Sequence, residues 1–462
     1  MGQQDLSFVC AMVNILGGLI FGVCAVGINT GLSLIYPCAY GLLPDTDHTW
    51  EIAALLSAVN IGAMVGALTG GEIADRVGRK WTMSAGGILA MATLFSMYAD
   101  TYFSQFVSRV VTGLGVGITS SVCGAYVSEM SPPPRRGFLG ALFQVFITVG
   151  ILAANVICYF VLGTNRDASA GAYCDLLSAS PADRLTDSMQ KIRIVMIAAV
   201  AVPGLFVLLV LSPLVPESYD FVRGQSERAT LVDKPKATMA DLFKAKRPLV
   251  IALMGAVALQ LTGINAVMFY CSKFLEAANV SQKILGTVII MAWNFVATLA
   301  SLFLADRLGR RLLLIPSLMA LTVAMLALGI LVEYQTHETS SVFAFVLLGI
   351  YILGFEAGPG VLFWVICNEV FPEPISQKGF AFVNMFQWSL TLLVTFCFPP
   401  LQTAMGGWVF WLFGIPGVLV SVFMLFCLPE TRGKTKRDIT LELSNPTWIV
   451  WSREMKQVYE VQ

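Results

Sequence analysis

Four amide side chains, Gln144, Gln260, Asn265 and Asn294, stand inside long apolar runs of this 462-residue chain. An amide in such a place needs a hydrogen-bond partner, on a neighbouring helix or on a bound polar molecule, because leaving it unpaired costs on the order of 1–3 kcal/mol. Trp364 and Trp388 also fall well inside apolar runs rather than at their ends, where an indole would anchor at a lipid interface. One acid, Glu356, is sunk deep in such a run, two residues before Gly358-Pro359-Gly360. The two histidines, His48 and His337, lie in polar intervals, and no nucleophile–base pair or metal-ligand cluster accompanies them. An enzyme is therefore not expected, nor a metal or other cofactor.

A second set of residues is charged, and it repeats. Ala74-Asp75-Arg76-Val77-Gly78-Arg79-Lys80 returns 231 residues later as Ala305-Asp306-Arg307-Leu308-Gly309-Arg310-Arg311. Pro216-Glu217-Ser218 returns as Pro429-Glu430-Thr431, and Glu129-Met130-Ser131-Pro132 more loosely as Glu369-Val370-Phe371-Pro372. One half-protein has been duplicated. In each copy glycine permits a tight turn, the aspartate can pair with arginine or a helix end, and the basic residues suit an anionic membrane surface.

The elements that must carry these residues follow from composition. At 56% hydrophobic and 13% charged, with a mean hydropathy of +0.75, the chain departs far from a water-soluble domain, which averages about 25% charged. Runs long enough to cross a bilayer as helix fall at 8–36, 51–71, 81–99, 103–127, 138–162, 192–213, 249–275, 282–304, 312–332, 341–368, 379–401 and 408–428. Twelve spans follow, so the fold class is all-α and integral to the membrane, in two pseudo-symmetric six-helix bundles. The chain divides into a first bundle over 1–215, a linker over 216–248, a second bundle over 249–429 and a tail over 430–462. Of the 29 lysines and arginines, 22 lie in alternate polar intervals, which puts both termini in the cytoplasm. The first run lacks a basic leader and reads as a retained helix rather than a secretory signal. The interval from about 163 to 191 reads as irregular loop. Within the linker, Thr238 to Lys246 could form a short interfacial helix or plain solvated loop.

The motifs together resemble the sugar porter family of the major facilitator superfamily, from about Gly17 to Lys434. They include both charged loops, Arg109-Val110-Val111-Thr112-Gly113-Leu114-Gly115-Val116-Gly117, and Glu129 with Arg136 seven residues on. They continue with Gln260-Leu261-Thr262-Gly263-Ile264-Asn265, Gly358-Pro359-Gly360 with Trp364, and Pro429-Glu430-Thr431-Arg432-Gly433-Lys434. The resemblance implies transport of a monosaccharide, usually a hexose, by alternating access, with the lipid bilayer as the other partner and neither nucleotide nor nucleic acid involved. D-glucose is the expected substrate, the plasma membrane the expected location and a monomer the expected working unit. A sugar is neutral, rich in hydroxyls and apolar on its C–H faces, so amides and an aromatic plane suit it. Gln144, Gln260, Asn265 and Asn294 match family sugar contacts, with Trp364 and Trp388 as the packing and supporting indoles. Gly263 and Asn265 are expected to interrupt the seventh span so that Phe269 and Tyr270 bend over the site as a gate, while Glu356 and Gly358-Pro359-Gly360 serve the tenth span alike. Asp75, Arg76, Arg79, Glu129, Arg136 and Glu217, with Asp306, Arg310, Glu369 and Glu430, are expected to latch the cytoplasmic side across the interface between the halves.

Departures from the family pattern bear on mechanism. Leu259 replaces a second glutamine, Ser376 stands where an arginine is expected after Glu369, and the linker is short. Proton-driven relatives carry an aspartate in the first span, where this chain reads Phe21-Gly22-Val23-Cys24-Ala25, and no acid occurs between Leu6 and Pro44. Uniport is therefore expected, with a proton-coupled sugar or inositol symporter, or a non-transporting sugar receptor, as alternatives. Cys38 and Cys174 both fall in predicted external loops, where a disulfide or two free thiols are both open readings.

Overall fold

Every crossing is helical, because a chain inside hydrocarbon has to satisfy its own backbone groups. The computed structural model describes residues 3–40, 42, 48–131, 136–163, 181–218, 222, 238–277, 280, 282–334, 339–372, 375–434 and 436–444. In the first half α1 (Gln3–Ile20) passes through a π-helical stretch, Phe21–Gly27, into α2 (Asn29–Tyr40). There follow α3 (Thr49–Val77), α4 (Arg79–Ala90), α5 (Tyr102–Met130), α6 (Arg136–Leu162) and α7 (Pro181–Leu211). The short α8 (Met239–Lys244) precedes α9 (Lys246–Gln260) and α10 (Ile264–Ala277), then α11 (Lys283–Leu308) and α12 (Arg310–Tyr334). A broken span comprises α13 (Thr339–Phe355), a π-helical stretch at Glu356–Gly360 and α14 (Val361–Val370). The chain then runs through α15 (Ser376–Met405), α16 (Trp411–Cys427) and α17 (Lys436–Ser444).

The twelve expected crossings are present, though ten continuous stretches are long and apolar enough to count as such. One of the ten, Lys378–Cys427, holds two crossings turned at Gly406, and the third crossing splits into α4 and 3-10 turns at Met91–Tyr98. Side chains such as Phe160, Leu208, Phe303, Val323 and Leu419 are largely exposed along the spans, as lipid contact requires. One sequence reading needs correction, and one left open between helix and loop falls to helix. The helix α7 starts at Pro181, inside the interval read as irregular, with proline at the first helical position, where its missing N–H is not needed. The segment after Thr238 is helix, capped reciprocally by Thr238 and Asp241.

Within the first half the tightest seam joins α3 to α5, and glycines make it. A Cβ on Gly62 would stand 1.9 Å from the Val110 carbonyl oxygen, and one on Gly113 would stand 1.9 Å from that of Val59. Between the halves, α3 packs on α15, α6 on α11 and α2 on α10. The first two contacts are equivalent under the duplication, which pairs α3 with α11 and α6 with α15. The duplication also pairs α5 with the broken span α13–α14, yet α5 runs unbroken over 29 residues. The first-span π stretch frees backbone carbonyls, and one of them is taken by Arg109, which is fully buried: Nη1 donates to Cys24 O at 3.1 Å and Nη2 to Asn29 Oδ1 at 2.6 Å.

Candidate functional site

A cavity lies between the halves, and each helix gives it one face. On α6 the lining residues Gln144, Ile147, Thr148 and Ile151 follow helical spacing; Phe21 and Val26 come from the π stretch and Asn60 from α3. From the second half come Leu259 and Gln260, then Ile264, Asn265, Met268 and Phe269, then Asn294, Phe355, Glu356 and Trp364, and finally Gln387, Trp388 and Thr391. The six residues proposed from sequence to contact substrate, Gln144, Gln260, Asn265, Asn294, Trp364 and Trp388, all line this one space.

Two polar groupings line it. Glu356 is buried, and it accepts from Asn294 Nδ2 at 3.0 Å and, across the interface, from Gln144 Nε2 at 3.4 Å. In the second grouping, Gln260 Nε2 donates to Gln387 Oε1 at 2.5 Å, and Asn265 donates to Gln260 Oε1 and, at 3.5 Å, to Thr391 Oγ1. The aromatic surface is Trp388, whose ring centroid lies 5.0 Å from that of Phe21. Its indole N–H is buried without a partner among the described residues. Trp364 rests against Phe363 and Phe380. The chemistry on offer is amide donors and acceptors, one carboxyl and two flat apolar faces.

The gating residues divide. The seventh span breaks at Leu261–Gly263, just ahead of Asn265, with Gly263 at φ +95° and its missing Cβ replaced by the Phe413 ring at 2.7 Å, so only glycine suits the turn. Phe269 faces the cavity. Tyr270 does not: at a kink (φ −125°, ψ 25°) it turns to donate from its hydroxyl to Thr395 O at 2.8 Å. In the tenth span Gly358 leaves helical geometry at φ −107°, ψ −107°, with Pro359 and Gly360 following; of this stretch Glu356 reaches the cavity.

The charged residues form two matching clusters at one face. Gly78 (φ +109°) and Gly309 (φ +92°) make the same turn, and each is followed by a helix whose first N–H groups meet a carboxylate. Arg79 N donates to Glu217 Oε1 at 2.8 Å; Arg310 N and Arg311 N donate to Glu430 at 3.0 Å each. Arg79 also pairs with Asp75 at 2.7 Å and Glu129 at 3.0 Å, as Arg310 does with Glu369 at 3.2 Å. The expected pairing across the interface is not what the described residues show: each ion pair stays within its own half. Glu217 and Glu430 are each taken up by the helix N-terminus beside them, at Arg79 and at Arg310 and Arg311. Arg76 is exposed without an ion-pair partner among the described residues, and the side chains of Arg136 and Asp306 lie outside them. Cys38 is disulfide-bonded, and Cys174 lies outside the described residues.

Burial acts to raise the Glu430 carboxyl, but the N–H groups of Arg432, Arg310, Arg311 and Thr431 outweigh it and hold the group below the ordinary carboxylate range. A depressed carboxyl stabilises the fold above its unfolded value, about 4.3, and that stability disappears as pH falls through the folded value. Thermal unfolding of the detergent-solubilised protein should thus lose stability on acidification below about pH 4, and Glu430→Gln should flatten that loss; an unchanged slope would refute the assignment.

Sequence reasoning missed Gln387, Asn60, Thr391 and Thr148 in the cavity wall. Gln387 and Asn60 satisfied the same test, an amide in an apolar run, but so did Asn14, Asn29 and Asn155, which donate to helix carbonyls at 2.8, 2.7 and 2.8 Å. Only three-dimensional placement separates these two groups.

Comparison with known proteins agrees with this geometry. The model of the family described as Sugar (and other) transporter matches residues 7–235 and again 223–443. The chain is 25% identical over 542 residues to facilitated glucose transporter member 10 of Xenopus tropicalis, covering 94% of this chain and 92% of that one. It is 28% identical to the glucose transporter GlcP of Staphylococcus epidermidis, covering 95% and 98%, and 28% identical to the galactose-proton symporter of Escherichia coli K12, covering 93% of each. Among solved structures, a proton:xylose symporter bound to 6-bromo-6-deoxy-D-glucose superposes with a TM-score of 0.77 at 23% identity, over 96% of this chain and 100% of that one, which speaks to fold alone.

Proposed function

Because the chain belongs to the sugar transporter family of the major facilitator superfamily, we propose that it carries a hexose such as D-glucose passively across the plasma membrane, working as a monomer with both termini in the cytoplasm. The observation that carries this reading is the cavity between the halves, where amides from both sides, one carboxyl and two indoles surround one space. Residues 1–215 and 249–429 are the bodies that rock about it, joined by the linker 216–248, and 430–462 is the tail. Gln144, Gln260, Asn265 and Asn294 serve the hydroxyls, and Trp364 and Trp388 serve the C–H faces.

Uniport is favoured by the surroundings of Arg109. Where a coupled carrier would set a carboxylate in the first span, this guanidinium meets the Cys24 carbonyl and the Asn29 amide, neither of which takes up a proton. The second reading, proton symport, rests on Glu356 inside the cavity and on the galactose-proton symporter among the relatives.

Uptake of radiolabelled hexoses and inositol into proteoliposomes, with and without an inward proton gradient, tests both. Uniport requires that internal sugar equal external sugar at steady state whatever the gradient, since no linkage joins proton and sugar. Accumulation abolished by a protonophore would replace uniport with symport through Glu356. Sugar binding without any uptake would mean a receptor. Gln260→Ala should weaken sugar binding about 5- to 30-fold, the loss of one to two kcal/mol, and undiminished binding would remove Gln260 from the site.

A further inference from the structure

One face of α15 carries a file of polar side chains, Asn384, Gln387, Thr391 and Thr395, at helical spacing, and its two ends reach into the other half. Asn384 Nδ2 donates to Ser121 Oγ of α5 at 2.9 Å. Asn60 Nδ2 of α3 donates to Thr395 Oγ1 at 2.8 Å. All four side chains are buried, and Asn384 and Thr395 are about 16 Å apart along a helix rising about 1.5 Å per residue. The cavity residues Gln387, Trp388 and Thr391 lie between them, so one bond stands toward the face with the charged clusters and the other toward the opposite face. Both are neutral and both are sealed from water.

We propose that these two hydrogen bonds are a pair of alternate latches, Asn384–Ser121 closing the charged-cluster face and Asn60–Thr395 closing the opposite one, with Asn384, Ser121, Asn60 and Thr395 as positioning residues. The proposal rests on the reading of the chain as a carrier whose halves rock about the cavity. Rocking that opens one face stretches the bond on that side and leaves the other near the pivot, so their relative strength sets which face the resting protein opens. The first latch is also joined to the cavity. Gln387 Nε2 donates to Asn384 Oδ1 at 3.0 Å, and Gln387 Oε1 in turn accepts from Gln260. A ligand that takes over the Gln260 amide withdraws a donor from Gln387 and frees it to turn, which changes how firmly Asn384 is held for Ser121. Occupancy thereby biases the latch without any charged group taking part. The second latch has its own reserve, since Asn60 Oδ1 is buried and unpartnered in the cavity wall.

The test is hydrogen–deuterium exchange on the full-length protein in nanodiscs, without sugar, in four variants. Ser121→Ala and Asn384→Ala should raise exchange of the ends of α5 and α15 on the charged-cluster face by about three- to tenfold, the weight of one neutral hydrogen bond, and leave the opposite face protected. Thr395→Val and Asn60→Ala should do the reverse, loosening the opposite ends of α3 and α15. Ser121→Ala and Thr395→Val are conservative enough to preserve the fold. If the two pairs loosened the same face, or if neither face responded, the latch proposal would be wrong. Because exchange is read without sugar, its outcome is independent of whether the protein proves to carry one.

Discussion

Replacing Glu356 by leucine is expected to lower sugar uptake at least about 30-fold, while Glu356→Gln retains most of it. Leucine removes the acceptor of both Asn294 and Gln144 and leaves two amide donors facing an apolar surface. Each unpaired group costs about 1–3 kcal/mol, and about 2 kcal/mol in total already corresponds to the thirtyfold loss. Glutamine keeps one acceptor oxygen of the same reach, and the other partner amide can turn its own oxygen to the new NH2, so the variant separates the role of shape from that of ionisation. Uptake by reconstituted variants, normalised to inserted protein, decides the matter. If the leucine variant transported like the parent, Glu356 would not organise the cavity. If the glutamine variant lost only gradient-driven accumulation, protons would be coupled through it.

The second large effect concerns assembly rather than transport. Gly113→Val should prevent α3 and α5 from meeting, because even the first carbon of a side chain would stand 1.9 Å from the Val59 carbonyl oxygen. Backbone is the obstacle, so no rotamer relieves it, and the cost should exceed the usual 1–3 kcal/mol of overpacking. Gly71 lies on the same helix α3 with nothing within 4 Å of its would-be Cβ, and Gly71→Ala should be tolerated or mildly stabilising. Size-exclusion profiles and melting of the two purified variants give the comparison, and a monodisperse, parent-like Gly113→Val would refute the close-packing argument.

How much of this was legible in the sequence alone depends on the physics of each feature. The crossings were, since hydrocarbon imposes length and apolarity on each segment independently. The repeated turns were legible as well, because a glycine followed by arginine and answered by a distant glutamate leaves a pattern in the letters. Gly78 and Gly309 share their left-handed backbone, and Glu217 and Glu430 share their place at a helix start. Partner choice was not legible. Nothing in the spacing of Arg79 and Glu129 indicates that they meet each other rather than the opposite half. Tyr270 likewise follows Phe269 directly in sequence, and only the kink within α10 turns one ring toward the cavity and the other away. Gln387 and Asn60 escaped notice because an amide in a span is ambiguous until its neighbours are known.

The duplication gave the two halves the same number of crossings but not the same breaks. The interruption in the first span is pinned by Arg109, the third crossing passes from α4 into 3-10 turns at Met91–Tyr98, and the continuous α5 is clamped by glycine contacts along α3. Its counterpart is jointed at Gly358, and the seventh span, in the same cavity wall, is jointed at Gly263. Around the cavity, the breaks made at glycine, Gly263 and Gly358, both fall in the second half. A passive carrier must return the same equilibrium from either side, which fixes the ratio of maximal rate to half-saturation concentration as equal for both directions. It does not fix the two terms separately. Under the proposed uniport, any difference between the barriers met from the two faces shows as different maximal rates and different half-saturation concentrations for influx and efflux, while their quotient stays the same.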